Sequence, residues 1–352
     1  MSQSGSLHIV GTGESSPVPS ELVDNETVLA VLRQHGIDTR GKNGDDTESL
    51  IGIRTRWWST KGATEHALEA AREAIADAGH RTGDAFQAED LSLVHSGGSS
   101  PDNVFPACAC EVQGALGIPP EGCEARDISL ACASWLDALV LAGARMRTKS
   151  MRWGLVTVGE CIGSRLNAPS SLSHCLWGDG GGAVVLEHDP DGDPGFGVVA
   201  DRAVSDGQFA HWTRSLKVGT HPDHESFEQP DASMLEFGRD IHRYAIRTVS
   251  KVIAEMLEEH RAKHGEAAEG ETTYLLPHNS NLGMVQQIGK RLGIPARHVL
   301  TRIRQRGNTS SASIPITLAH FAGAGRFQRG DLLILAAFGG GMAIDIVFYR
   351  WP

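Results

Sequence analysis

The tightest constraint on the fold is a motif the chain uses twice. GGGAVVLEH at 180–188 and GGGMAIDIVFY at 339–349 each run three glycines into an apolar strand. In each half an apolar helix also opens on a short polar or thiol side chain, at Cys132 in CASWL and at Asn308 in NTSSASIP. A chain that repeats itself in this way is most simply a duplicated unit.

The segments between these landmarks alternate. LHIVGTGE reads as a strand, GATEHALEAAREAIADAGH (62–80) as a helix stopped by Gly79, DLSLVHSGG as a strand and PACACEVQGALGI as a helix. EARDISL is a strand leading directly into the helix CASWLDALVLAGARMRTK, and MRWGLVTVGE is another strand. The second half offers the helix RDIHRYAIRTVSKVIAEMLEEH, the strand TYLLPHNS, the helix NLGMVQQIGKRLG and the strands of DLLILAAFGGGMAIDIVFYR. Strands alternating with helices predict an α/β fold on a parallel sheet. The run DPDGDPGFG (189–197) punctuates the chain and divides 352 residues into halves at 1–188 and 189–352.

Composition narrows the function. No stretch approaches the roughly 20 apolar residues of a membrane helix, and MSQSGSLHIVG lacks a basic start before an apolar core, so a soluble cytoplasmic protein is expected. A net charge of −11 excludes a wide nucleic-acid surface. Six cysteines, at 108, 110, 123, 132, 161 and 175, form no CxxC and no zinc spacing, which predicts free thiols. WGDGGGAVV is no phosphate loop, since GxxxxGK[ST] is absent and a strand follows it. Its amides, like those of FGGGMA, suit either tight turns or an oxyanion hole.

Three residues carry the chemistry. At a helix start, Cys132 would meet unpaired N–H groups and the positive end of the helix dipole, which favour the thiolate. His278 follows the apolar strand TYLL and so falls at a strand's carboxyl end, where open α/β sheets place their ligand sites. Asn308 occupies a similar turn before a helix. Singly, each has an ordinary structural reading as a buried thiol, a core histidine or a turn former. A cysteine, a histidine and an asparagine at three such turns together form the set that acyl transfer through a thioester requires.

The sequence resembles β-ketoacyl-acyl carrier protein synthase III and its relatives in polyketide and other specialised pathways. IVGTGESSPVP, GIRTR, FPACACEVQGALGI, DISLACASW, WGDGGGAVVL, PHNSNLGMVQQIGKRLGIP, RGNTSSASIP and FGGGM carry the resemblance in family order. It implies a thiolase fold, two pseudo-repeated halves in a layered αβαβα arrangement, as a homodimer. The catalytic cysteine would be Cys132, with His278 and Asn308 as its partners and the amides of Cys132 and Gly340 as the oxyanion hole. Phe105 would close the acyl pocket of the partner subunit, with Trp177 and Phe338 as further lining. No metal or organic cofactor is implied; the substrates would be acyl thioesters of coenzyme A or of carrier-protein phosphopantetheine.

The chain departs from the family where substrate enters. The tryptophan and arginine that sandwich adenine are replaced by Asp46 and Leu50, and a docking arginine by Gly283. Arg239, Arg243, Arg247 and Lys251, four residues apart, would form a basic stripe suited to an acidic carrier protein. A glutamate used by head-to-head condensing enzymes is Phe105 here, which argues against that reaction. The expected activity is decarboxylative Claisen condensation through an acyl-Cys132 intermediate, in polyketide or other specialised metabolism. Two alternatives remain: an acyltransferase passing the acyl group to an alcohol, amine or thiol, and a silent ketosynthase partner.

Overall fold

The computed structural model describes residues 5–39, 44–83, 85–166, 172–213, 237–265 and 270–352. Its strands are β1 (Ser6–Glu14), β2 (Leu22–Asp24), β3 (Thr55–Trp57), β4 (Leu93–Gly97), β5 (Glu124–Ile128), β6 (Trp153–Glu160), β7 (Gly180–Asp189), β8 (Gly197–Ser205), β9 (Thr273–Pro277), β10 (Leu332–Gly339) and β11 (Ala343–Arg350). Its α-helices are α1 (Asn25–Gln34), α2 (Gly44–Ile51), α3 (Ala63–Thr82), α4 (Cys108–Ala115), α5 (Ser134–Lys149), α6 (Gly238–His264), α7 (Leu282–Arg291), α8 (Ile303–Arg306) and α9 (Ser313–Gly323). Among the described residues no helix is long and apolar enough to cross a membrane.

Nine strands join in the order β5-β4-β6-β7-β1-β8-β11-β10-β9. From the middle outward the two sides match: β1, β7, β6 and β4 on one, β8, β11, β10 and β9 on the other. On each side the first three strands pair antiparallel and the last two parallel. Beyond β9, where β5 would have its counterpart, stands only the isolated bridge Leu275–Val299 among the described residues. Between β1 and β8, where the two half-sheets meet, the pairing is the bridge Leu7–Gly197. The duplication in the sequence is therefore a duplication of topology, with β7 and β11 in equivalent places. The sheet is mixed rather than parallel, because short links such as that between β10 and β11 join only antiparallel neighbours.

Helices α5 and α9 form the central layer. Trp135, Leu139 and Met146 of α5 and Ile314, Ile316 and Leu318 of α9 are buried with Val156 and Val184 of one half-sheet and Leu333 and Val347 of the other. Outside the first half-sheet, Ala67, Ala70, Ala71 and Ala74 of α3 pack with Leu155, Ala183 and Val185. Outside the second, Ile246, Val249 and Ile253 of α6 pack with Ile334, Ile344 and Ile346. The result is the αβαβα layering. Helix α3 runs through Gly79 to Thr82 and stops where Gly83 turns left-handed at φ +58°. A glycine that keeps helical dihedrals does not end a helix; one in the left-handed region does.

The alanine face of α3 brings its backbone against β6. A Cβ on Gly159 would fall 1.8 Å from the carbonyl oxygen of Ala63. Gly159→Ala is expected to push the start of α3 away from the sheet and cost about 3 kcal/mol or more. Urea unfolding of the two proteins at one pH measures it.

Candidate active site

Between β5 and α5 the chain makes a sharp turn. Ala131 is left-handed at φ +49° although it has a side chain, a conformation that needs support from its surroundings. Ser134 supplies it: its N–H donates to Ala131 O at 3.1 Å, its hydroxyl donates to the same oxygen at 2.6 Å and accepts from Leu130 N–H at 2.7 Å. Cys132 sits on this turn two residues before α5, not in the helix as its sequence predicts, because Ala131 breaks the helical dihedrals. The β10–β11 turn closes on it from above. A Cβ on Gly339 would lie 2.9 Å from Cys132 N, so only glycine lets the two backbones meet, and Gly340 follows in the same turn. The other triplet, Gly180–Gly182, opens β7 and packs close to His66 and Pro315. Its glycines serve close packing between sheet and helices.

The thiol is not held as a thiolate. Burial pushes Cys132 up to about 11; the Ser310 hydroxyl opposes this, and the charge of Glu160 adds to it. Near the start of a helix, burial and a neighbouring carboxylate outweigh the dipole that the sequence alone brings to mind.

His278 follows β9 directly, and its N–H continues the ladder to Ala336 O at 2.8 Å. The ring stands edge-on to Phe338, with centroids 5.2 Å apart. Its Nδ1 lies 2.9 Å from Ser313 Oγ. Burial pushes it down to about 4, so the imidazole is neutral at physiological pH. Asn308 is preceded by the short α8, not by a strand, and is tied to Trp177 by an isolated bridge. Its N–H donates to Leu176 O at 2.8 Å and its carbonyl accepts from Gly178 N–H at 3.0 Å. The side-chain Oδ1 accepts from Ser310 N–H at 2.9 Å, which makes the amide's other end its donor.

One turn joins all three. Ser310, left-handed at φ +49°, holds Asn308 through its amide and lies 3.3 Å from Cys132 Sγ through its hydroxyl. Its carbonyl accepts from the Ser313 hydroxyl at 2.8 Å, and Ser313 meets His278. Sequence reasoning missed Ser310, Ser313 and the fully buried Glu160. The signals were present as hydroxyls clustered at the mouth of an apolar helix and a glutamate closing an apolar strand.

Trp177 and Phe338 are buried beside Asn308 and His278, whereas Phe105 is 84% exposed. At the surface, α2 carries Asp46 and Leu50, the latter 71% exposed. A cavity of about 400 Å³ there is lined by Asp45, Glu48, Leu50, Gly283 and Arg304. Both arginines at this place, Arg54 and Arg304, are engaged by Glu48. Arg239, Arg243, Arg247 and Lys251 are exposed along α6. Arg243 and Arg247 line a second cavity, of about 460 Å³, with Arg291, Trp212 and Tyr244.

Asp345 on β11 adds a pH dependence. Burial and the charges of Asp137 on α5 and Asp201 on β8 push it up to about 7, and its Oδ2 has no hydrogen-bond partner among the described residues. The folded state thus holds a proton that the unfolded chain releases near pH 4. Stability is fullest below that value and is lost as pH rises toward 7. Asp345→Asn is expected to be neutral at pH 4 and stabilising by roughly 2 kcal/mol or more at pH 8, measured by denaturant unfolding at both.

Similarity to known proteins agrees with this geometry. The family described as 3-oxoacyl-[acyl-carrier-protein (ACP)] synthase III matches residues 126–207, and its C-terminal region matches 253–351. The β-ketoacyl-[acyl-carrier-protein] synthase III of Rhizobium rhizogenes is 33% identical over 98% of this chain and 100% of its own. That of Rhizorhabdus wittichii is 32% identical over 97% and 98%. The solved 3-oxoacyl-(acyl carrier protein) synthase III of Pseudomonas aeruginosa PAO1 is 26% identical, superposes with a TM-score of 0.80, and covers 99% of this chain and 98% of its own. With relatives matched along nearly its whole length and both halves of the fold in place, this chain belongs to the β-ketoacyl-[acyl-carrier-protein] synthase III family of the thiolase superfamily.

Proposed function

We propose that the protein is a decarboxylative condensing enzyme that carries its acyl group on Cys132 and takes its substrates from a carrier protein, in polyketide or other specialised metabolism. The observation that carries this reading is the 308–313 turn, which ties Asn308, His278 and the Cys132 sulfur into one hydrogen-bonded unit. In the first stage the sulfur attacks a thioester, and the amides of Cys132 and Gly340 hold the oxyanion. In the second, an extender thioester loses CO2, and its enolate oxygen is held by His278 and the Asn308 amide while its carbon attacks the acyl-enzyme.

A carrier protein is favoured over coenzyme A by charge. The cavity at the adenine-clamp positions presents Asp45 and Glu48, which oppose nucleotide phosphates, while α6 offers a row of cations to an acidic partner. The exposed Phe105 and the uncovered edge strand β5 support a homodimer in which Phe105 reaches the partner's acyl pocket.

Acyl transfer without carbon–carbon bond formation is kept by one observation. The Ser313 hydroxyl has a single proton. Given to Ser310 O, as the 2.8 Å contact favours, it leaves His278 Nδ1 the donor and Nε2 bare, a base for an acceptor alcohol or amine. Turned to Nδ1, it puts the proton on Nε2 and makes His278 an enolate donor. Intact-mass analysis after incubation with a panel of acyl-carrier and acyl-coenzyme A thioesters, followed by a malonyl carrier, decides. Condensation gives an acyl-enzyme, CO2 and a chain two carbons longer; CO2 never appearing with any malonyl carrier sinks it.

A further inference from the structure

Glu160 closes β6 fully buried, yet nothing in the two-stage chemistry uses it. Among the described residues it forms no ion pair, and the titratable groups that sense its charge are the thiols of Cys132 and Cys161. Five donors converge on it instead. Ser99 reaches Oε1 through its amide at 3.1 Å and its hydroxyl at 2.9 Å, and Ser311 through its amide at 3.4 Å and its hydroxyl at 2.5 Å. The Ser100 hydroxyl donates to Oε2.

The Ser99 oxygen also lies 3.1 Å from Ser310 Oγ, and Ser310 Oγ lies 3.3 Å from the Cys132 sulfur. The two serines therefore make a continuous chain between thiol and carboxylate. Its direction is fixed at one end, because the Ser99 and Ser311 amides can only donate and so make Oε1 an acceptor. The Ser99 proton points to Glu160, and its oxygen is free to accept from Ser310; the Ser310 hydroxyl, which in the structure donates to the sulfur, turns to Ser99 to complete the path, and its oxygen then accepts from the thiol.

We propose that the proton of Cys132 leaves along Ser310 and Ser99 to Glu160, which acts through those hydroxyls and never touches the substrate. The S–H bond breaks, each serine passes one proton and receives one, and an O–H bond forms on Glu160. In the same step the sulfur pair bonds to the thioester carbon, and the donor's carbon–sulfur bond breaks as the tetrahedral adduct collapses. The displaced thiolate takes the proton back by the reverse path, and Glu160 is again ionised. Two features suit the residue to this. The Ser311 hydroxyl is also 3.0 Å from Gly97 O, so it keeps an acceptor when Glu160 becomes neutral. And the charge that keeps the thiol protonated disappears in the very transfer that frees the sulfur.

The proposal rests on Cys132 being the acylated residue, and its test separates the two. Proton removal concerted with attack is read as the rate of Cys132 labelling by iodoacetamide between pH 6 and 9, resolved at the Cys132 peptide because Cys110 is also exposed. Single-turnover acylation by a thioester is followed in parallel. Transfer concerted with attack draws on the carboxylate and not on hydroxide, so the wild-type rate is nearly flat over pH 6–8. Glu160→Gln loses the flat limb and rises tenfold per pH unit, being roughly 10-fold or more slower than wild type at pH 6. A residue that only repels the thiolate gives the opposite result: wild type already rises tenfold per unit, and Glu160→Gln is faster at every pH. That outcome overturns the proposal. If Glu160→Gln does not fold, Ser99→Ala decides, since it keeps the charge and cuts the chain; a flat limb surviving within its millisecond single turnover is also fatal. A wild type that is alkylated at Cys132 but acylated by no thioester refutes the acyl-enzyme and leaves the relay to be judged on alkylation alone.

Discussion

Cys132→Ala is expected to abolish the acyl mass shift with every thioester and to lower condensation by about 10^4-fold or more. The expectation is this large because no other thiol is placed to substitute. Cys108 and Cys161 are buried with their thiols pushed up to about 12 and further still, and no hydroxyl of the 308–313 turn shares the sulfur's position over the Gly339 backbone. Decarboxylation of the extender should outlast acylation in this variant, since it draws on His278 and Asn308. Intact mass, and CO2 release from a malonyl carrier, separate the two effects. Equal labelling of wild type and variant by an acyl thioester would show that another group is the nucleophile, and would revive the silent-partner reading.

The second large effect belongs to His278. His278→Ala is expected to leave acylation of Cys132 within a few fold of wild type but slow the extender step by roughly 10^2 to 10^3. The acyl-enzyme should then accumulate, visible as a persistent mass shift. Asn308→Ala should do the same, though less cleanly, because the Asn308 carboxamide also fixes Ser310. If His278 works as a base for an acceptor, the pattern changes: transfer to the acceptor fails, while decarboxylation of a malonyl thioester is not part of the reaction at all. Ser313→Ala, which frees the Nδ1 end of the ring, tests the same distinction through the pH profile. Neutral imidazole persists down to about pH 4, so the wild-type profile should show no limb from this group near pH 6.5.

The sequence carried more of the elements than of their contacts. Strands and helices were legible because each buries a face with its own period, as in the alanines of α3 and the apolar runs of β6 and β10. What escaped depended on dihedrals and distance along the chain. The true start of α5 is fixed by Ala131 in the left-handed region, which no alanine announces. The end of α3 was set by Gly83, four residues beyond the glycine that looked like a stop. Cys132, His278 and Asn308 could be picked out by type and by their place at turns. Ser310 could not, since the sulfur it approaches is 178 residues away in sequence. Glu160 was hidden for the same reason: its partners come from Ser99, Ser100 and Ser311, on two loops remote from each other.

The central layer also binds folding to chemistry. The sulfur stands two residues ahead of α5, the 308–313 turn runs into α9, and these helices are shielded on both sides by the two half-sheets. A change of volume at Trp135 or Ile316 has no solvent-facing side on which to relax, so it moves the Cys132 sulfur relative to the 308–313 turn. Phe338, which packs with Ile246 and Ile346 on the outer face of the second half-sheet, stands apart from that middle. In such a molecule robustness and turnover are set by the same few ångströms of helix placement, and repacking the middle for hardiness would retune the reaction whether or not that was intended.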